Sequence, residues 1–202
     1  MFNNATVYKI HESWAADFAA VEQAMRDAPF MPCGATESQS VGWVPPRGHD
    51  HGAMAESIGG QWIMKCHCAE KMLPAAVLEK RVQERCEAIE REFGRTPGRK
   101  ERRDLKEEAL LDLLPQAFVK ERGTWVWIDP QARMLVLNTA TQSKADEIVS
   151  LMVDGIPGFA LALLDTKISP QAAMAQWLLS QEAPAGFSID QECELKAEDE
   201  SK

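Results

Sequence analysis

The sequence has no run of about 18 apolar residues, so no membrane-spanning helix is expected. Its opening, MFNNATVYKI, has no basic region followed by an apolar stretch, so no secretory leader is expected either. Cysteine is sparse, five in 202 residues, an odd number without the spacing of a disulfide framework. Free thiols in a reducing cytoplasm are the simplest expectation. There is no Gly-rich phosphate loop, no nucleophile elbow and no HExxH pair, which removes the best-marked nucleotide-binding, hydrolase and zinc-protease classes. Low-complexity tracts and close internal repeats are absent as well.

What is present is ordinary for a chain that buries a core: 45% hydrophobic and 26% charged residues. The net charge of −9 speaks against nucleic acid until its distribution is read. RTPGRKERR, Arg95 to Arg103, holds five basic residues and one acid, a local charge of +4. Gln181 to Lys202 holds seven acids and two lysines, a local charge of −5. The average hides a basic tip and an acidic tail.

Hydrophobic periodicity predicts the elements. ATVYKI (5–10) reads as a strand. Ser13 is a candidate cap for a helix carrying Trp14, Phe18, Val21 and Met25 at helical spacing. SVGWVP (40–45) and QWIMKCHC (61–68) read as strands separated by a loop with Gly48, Gly52, Gly59 and Gly60. Leu78, Val82, Cys86, Ile89 and Phe93 then form a helical stripe that GRTPG (94–98) breaks. A second helix carries Leu105, Leu110, Leu113 and Leu114 and ends near Pro115. TWVWID (124–129) and RMLVLNT (133–139) read as a β-hairpin, followed by a helix over 142–156, a short apolar segment at 158–164 and a helix around Pro170–Leu179. The order predicts an α+β fold, a mixed-sheet body with an inserted antiparallel helical hairpin.

Three chemistries compete for the candidate residues. Zinc would draw on His49, His51, Cys66, His67 and Cys68, with 14 residues between the two groups. Alternation on a strand would send His67 to the face opposite Cys66 and Cys68, and the cysteine spacing is too short for a knuckle, so buried cysteines are the plainer reading. Cys33 as a nucleophile would need a base that nothing in the sequence places beside it; as a small core residue it needs none. The six tryptophans mostly fall on strand patterns, which favours core over base stacking. The third candidate is the basic turn. Arg95, Arg99, Lys100, Arg102 and Arg103 are dense enough to contact phosphates, which carry no sequence information. The plain alternative is a solvated loop.

PFMPCG followed by VGWVPPRG, then LLPQAF followed by WVWID, resembles the recombination-associated RdgC family of bacteria. The opening MF…VYKI and the helix start KMLPAAVLEKRVQER fit the same pattern, and the resemblance runs over nearly the whole chain. It implies a non-enzymatic DNA-binding protein without sequence preference that restrains the RecA recombinase, needs no cofactor, and works in the cytoplasm on the nucleoid. It implies a homodimer closed into a ring around duplex DNA, each subunit having a central body, a helical finger and a base. On that layout, residues 1–74 and 121–180 form the body and 75–120 the finger. Residues 181–202 are an acidic tail or the start of the base. Family chains run further, and the His49, His51, Cys66, His67, Cys68 set is not part of the family pattern, which counts against zinc. The finger would carry its basic turn to DNA. Phe118, beside Lys120 and Arg122, would either seal the finger against the body or anchor the partner subunit. Should the turn not touch DNA, Arg47, Lys65 and Lys71 are the next cations.

Overall fold

The computed structural model describes residues 3–49 and 51–189. Seven strands form one antiparallel sheet: β1 (Thr6–Ile10), β2 (Gln39–Val44), β3 (Ala55–Ile58), β4 (Gln61–Met72), β5 (Phe118–Asp129), β6 (Met134–Leu137) and β7 (Leu161–Leu163). The order is β2-β4-β5-β6-β1-β7, with β3 also paired to β4. Because β5 runs along one edge of β4 from Trp62 to Met72, β2 and β3 share the other edge, at Lys65–Glu70 and Gln61–Met64. Helices α1 (Phe18–Asp27) and α4 (Gln142–Gly155) bury their apolar stripes on one face of the sheet. There Val21, Met25, Ile148 and Met152 meet Tyr8, Trp43, Met64, Val126, Ile128, Leu135 and Leu137. Between β4 and β5 the chain leaves the sheet as α2 (Ala75–Phe93) and α3 (Arg99–Leu113), then returns through a 3₁₀ turn at Leu114–Gln116. The architecture is α+β, as the element order predicts, but its strands pair antiparallel throughout, so the sheet is not mixed.

Three local readings change. Helix α1 starts at Phe18, not after Ser13: the Asp17 carboxylate accepts from the Ala19 and Ala20 N–H groups, while Ser13 Oγ is bonded to His11 Nδ1. The supposed loop before β4 contains β3, and Gly59 and Gly60, with φ of 59° and 83°, make the tight hairpin turn. Strand β5 begins at Phe118, six residues before the aromatic pattern, because its polar half FVKERG pairs with the end of β4.

The turn-rich segment FMPCG is scaffold. Phe30 and Ala28 bond the backbone of Trp43, so the segment runs beside β2. A Cβ on Gly42 would lie 2.5 Å from Phe30 backbone atoms, so this approach requires glycine. Phe30 packs on His67 with ring centroids 4.6 Å apart, Cys33 Sγ donates to the Ala69 carbonyl at 3.3 Å, and Lys71 Nζ donates to the Gly34 and Ala35 carbonyls.

The chain divides into two compact units, 1–163 and 164–202. The second contains α5 (Pro170–Ser180), capped by Ser169 Oγ accepting from Ala172 N–H, with Trp177 packed on Phe187 at 5.2 Å.

Candidate nucleic-acid interface

Helices α2 and α3 pack through their own small core of Val82, Cys86 and Ala109, flanked by Leu78 and Leu105. Ion pairs rim it: Lys106 with Glu79 at 2.8 Å, and Arg85 with Glu108 at 2.7 Å and with Asp112. These are exposed and contribute little to stability. From Ala75 to Leu113 there are ten basic and ten acidic residues, so the helix pair is neutral as a whole and positive only at its turn. Gly94, at φ 67°, closes α2 with its N–H on the Glu90 carbonyl, and Gly98 opens α3.

The five cations of the turn differ in their freedom. Arg95 grips Glu101 through two bonds, at 2.6 and 2.9 Å, and this pairing holds the Glu101 carboxyl below its ordinary range. Arg103 Nε donates to Glu107 at 3.2 Å, and Arg102 lies 3.9 Å from Glu79. Arg99 and Lys100 have no ion-pair partner among the described residues. They occupy the first turn of α3, where the helix dipole favours acids and disfavours cations. The cations and the nearby Glu101 and Glu107 were legible in the sequence; the contact of Arg102 with Glu79 was not, because Glu79 reaches it only through helix packing.

Phe118 lies opposite Met72 at the root of the helix pair and is 86% exposed, with Met72 at 53%. It does not seal the helix pair against the sheet. Of the reserve cations, Arg47 forms two bonds with Glu56, Lys71 holds the two carbonyls named above, and Lys65 Nζ lies 5.4 Å from the Trp125 ring centroid.

Among the described residues, no group of three His, Cys, Asp or Glu side chains is placed to hold a metal. His67 faces Glu121 at 3.3 Å, while Cys66 belongs to the core on the other side of the sheet. Between α4 and strands β2, β4 and β5, Cys66, Cys68, Arg122, Lys144 and Glu147 line a cavity of about 20 Å³, room for about one water. Burial pushes the Cys66 thiol up to about 12, with Cys68 and Glu147 adding to the effect, and burial also raises Cys68. Such thiols are poor nucleophiles at neutral pH.

A pH dependence follows. Below about pH 9, the ordinary value, Cys66 is protonated whether folded or unfolded and nothing is lost. Above it the unfolded chain ionises first, so stability falls as pH rises toward about 12. The full loss is on the order of 4 kcal/mol. Urea midpoints of the parent chain should drop more steeply between pH 8 and pH 11 than those of Cys66→Ala; parallel curves would remove Cys66 as the cause.

The turn and the fold around it can be set beside known proteins. A family model described as "Putative exonuclease, RdgC" matches residues 1–202. The chain belongs to the RdgC family. A recombination-associated protein RdgC of Dechloromonas aromatica is 38% identical over 201 residues, covering 100% of this chain and 66% of the relative. RdgC proteins of Herminiimonas arsenicoxydans and Bordetella pertussis are each 37% identical over 201 residues, covering 66% and 67% of the relative. The chain thus spans about two thirds of the length of the curated RdgC relatives it matches. The relatives are named recombination-associated proteins. The family model and these names do not agree on enzymatic activity, since the family model says exonuclease. Among the described residues of this RdgC chain, no helix is long and apolar enough to cross a membrane.

Proposed function

We propose that the chain is a non-enzymatic DNA-binding protein that holds duplex DNA by its phosphates, without reading sequence, through the turn between α2 and α3. The observation that carries this is the placement of Arg99 and Lys100. A first helical turn selected for stability alone would carry acids. This one carries a single acid, Glu101, which Arg95 engages, and two cations without carboxylate partners among the described residues, with Arg102 and Arg103 beside them. Backbone amides at the start of α3 add to the attraction for phosphate. Charge balance along the helices confines that attraction to the turn.

On this reading the protein acts on recombination by occupying DNA, so that RecA filaments are hindered through the shared substrate. It works as a homodimer closed into a ring, negative outside and positive inside, in the nucleoid of the cytoplasm. Screening over about 10 Å at moderate salt keeps the distant acids from cancelling the turn. The test is duplex affinity of the 202-residue chain at two salt concentrations, where a steep fall with salt is expected and a salt-independent affinity would contradict it.

Phe118 is the proposed dimer contact. Aromatic anchors cost about 2 kcal/mol or more when truncated. Phe118→Ala should therefore move sedimentation toward monomer and leave the melting temperature of the monomer unchanged, since the ring is 86% exposed. An unchanged dimer fraction would place the contact elsewhere.

A further inference from the structure

Side chains alternate along β5. Val126 and Ile128 enter the core, and Trp125 and Trp127 point to the opposite face, where both are half-buried. Neither belongs to the core between the sheet and helices α1 and α4. Among the described residues of the first unit, no helix packs on their side: α1 and α4 lie on the other face, and α2 and α3 pack on each other. The FMPCG segment covers only the His67–Ala69 end. Two tryptophans are therefore presented on a sheet surface, and their alternation places them about 7 Å apart.

That surface is equipped with cations. Lys65, directly across from Trp125, lies over its ring, and its stem fills the space above Gly123, where an added Cβ would sit 2.5 Å from Lys65 Cε. Lys9 of β1 shares the face and is exposed. The acids on this side are Glu56 and Glu121, engaged by Arg47 and His67, and Asp129 at the end of β5, whose carboxylate accepts from the Gln131 and Ala132 N–H groups. The indole N–H of Trp127 donates to Gln61 Oε1 at 2.7 Å, which holds the ring in place and meets its polar need.

We propose that this face is a binding site for a single nucleic-acid strand, with Trp127 stacking one unpaired base, Trp125 a second as Lys65 leaves its ring to meet the backbone, and Lys9 meeting the backbone as well. The spacing is twice the 3.4 Å rise of a stacked strand, so it suits bases drawn apart and laid out along the sheet. Stacking on aromatic side chains is indifferent to sequence because every base has a π-face. Sheets that carry aromatics on an open face bind single strands in this way. The site goes beyond the duplex contact at the turn and does not depend on it.

The experiment titrates the 202-residue chain with a fluorescent oligothymidylate and, separately, with duplex. Trp125→Leu/Trp127→Leu should weaken oligothymidylate binding by about tenfold or more and leave duplex affinity unchanged. An unchanged oligothymidylate affinity in a folded double variant would overturn the proposal, as would an equal loss for duplex. A loss of self-association with no effect on DNA would make the face a protein contact and also overturn it. Should the double variant not fold, ultraviolet cross-linking of the parent chain to oligothymidylate decides: cross-links should map to Trp125 or Trp127, and cross-links only elsewhere refute the site. Arg99→Ala/Lys100→Ala should keep those cross-links while losing duplex affinity, which separates failure of this site from failure of the turn.

Discussion

Replacing Trp43 with alanine should cost about 3–5 kcal/mol, a large share of the 5–15 kcal/mol that folds an average domain. Trp43 is 1% exposed and the largest fully buried side chain of the protein's described residues. It sits on β2 across from Cys66, within the cluster that joins both core helices to the sheet. Its backbone also holds the FMPCG segment, through Trp43 N–H on the Ala28 carbonyl and Phe30 N–H on the Trp43 carbonyl. Truncation opens a cavity that the β2 backbone, bonded on both sides, cannot collapse to fill. Urea unfolding should show a lower midpoint with an unchanged slope. A cost below about 1 kcal/mol, the value typical of surface sites, would show that β2 does not complete the core as described.

The second large effect concerns DNA. Arg99→Ala/Lys100→Ala/Arg103→Ala should weaken duplex binding on the order of a hundredfold at moderate salt, since each lost phosphate contact removes a released counterion. The loss should be the same for unrelated duplex sequences, because phosphates carry no base information. Most of it should come from Arg99 and Lys100, as Arg103 is already engaged by Glu107. Arg95→Ala alone should matter less, given its two bonds to Glu101. Circular dichroism and melting should be unaffected, because these side chains lie outside both hydrophobic clusters.

The sequence revealed most where burial repeats with a period. Val21, Met25, Val82 and Cys86 were readable as inward-facing because the helix returns each to one side, and all four are buried. Phe93, on the same stripe, is 63% exposed: an apolar spacing says which face a residue shares, not whether another element reaches it. The polar half of β5 is not legible because FVKERG has no strand alternation; its extended form comes from pairing with β4. At the turn, charge was legible and pairing was not. Arg95 and Arg99 look equivalent in sequence, and only the fold brings Glu101 onto one of them. Phe118 shows the same limit, since an aromatic after a helix end reads alike whether sealed or open, and here it is open.

The most direct test of the central claim is the salt dependence of duplex affinity, measured for the parent chain and for Arg99→Ala/Lys100→Ala/Arg103→Ala at matched folding. If the turn neutralises phosphates, log affinity of the parent falls linearly with log salt by about 0.9 per phosphate contact, and the variant's slope is shallower by about one unit for each contact removed. A folded variant that keeps the parent's slope on random duplexes would show that the turn between α2 and α3 is not the DNA surface.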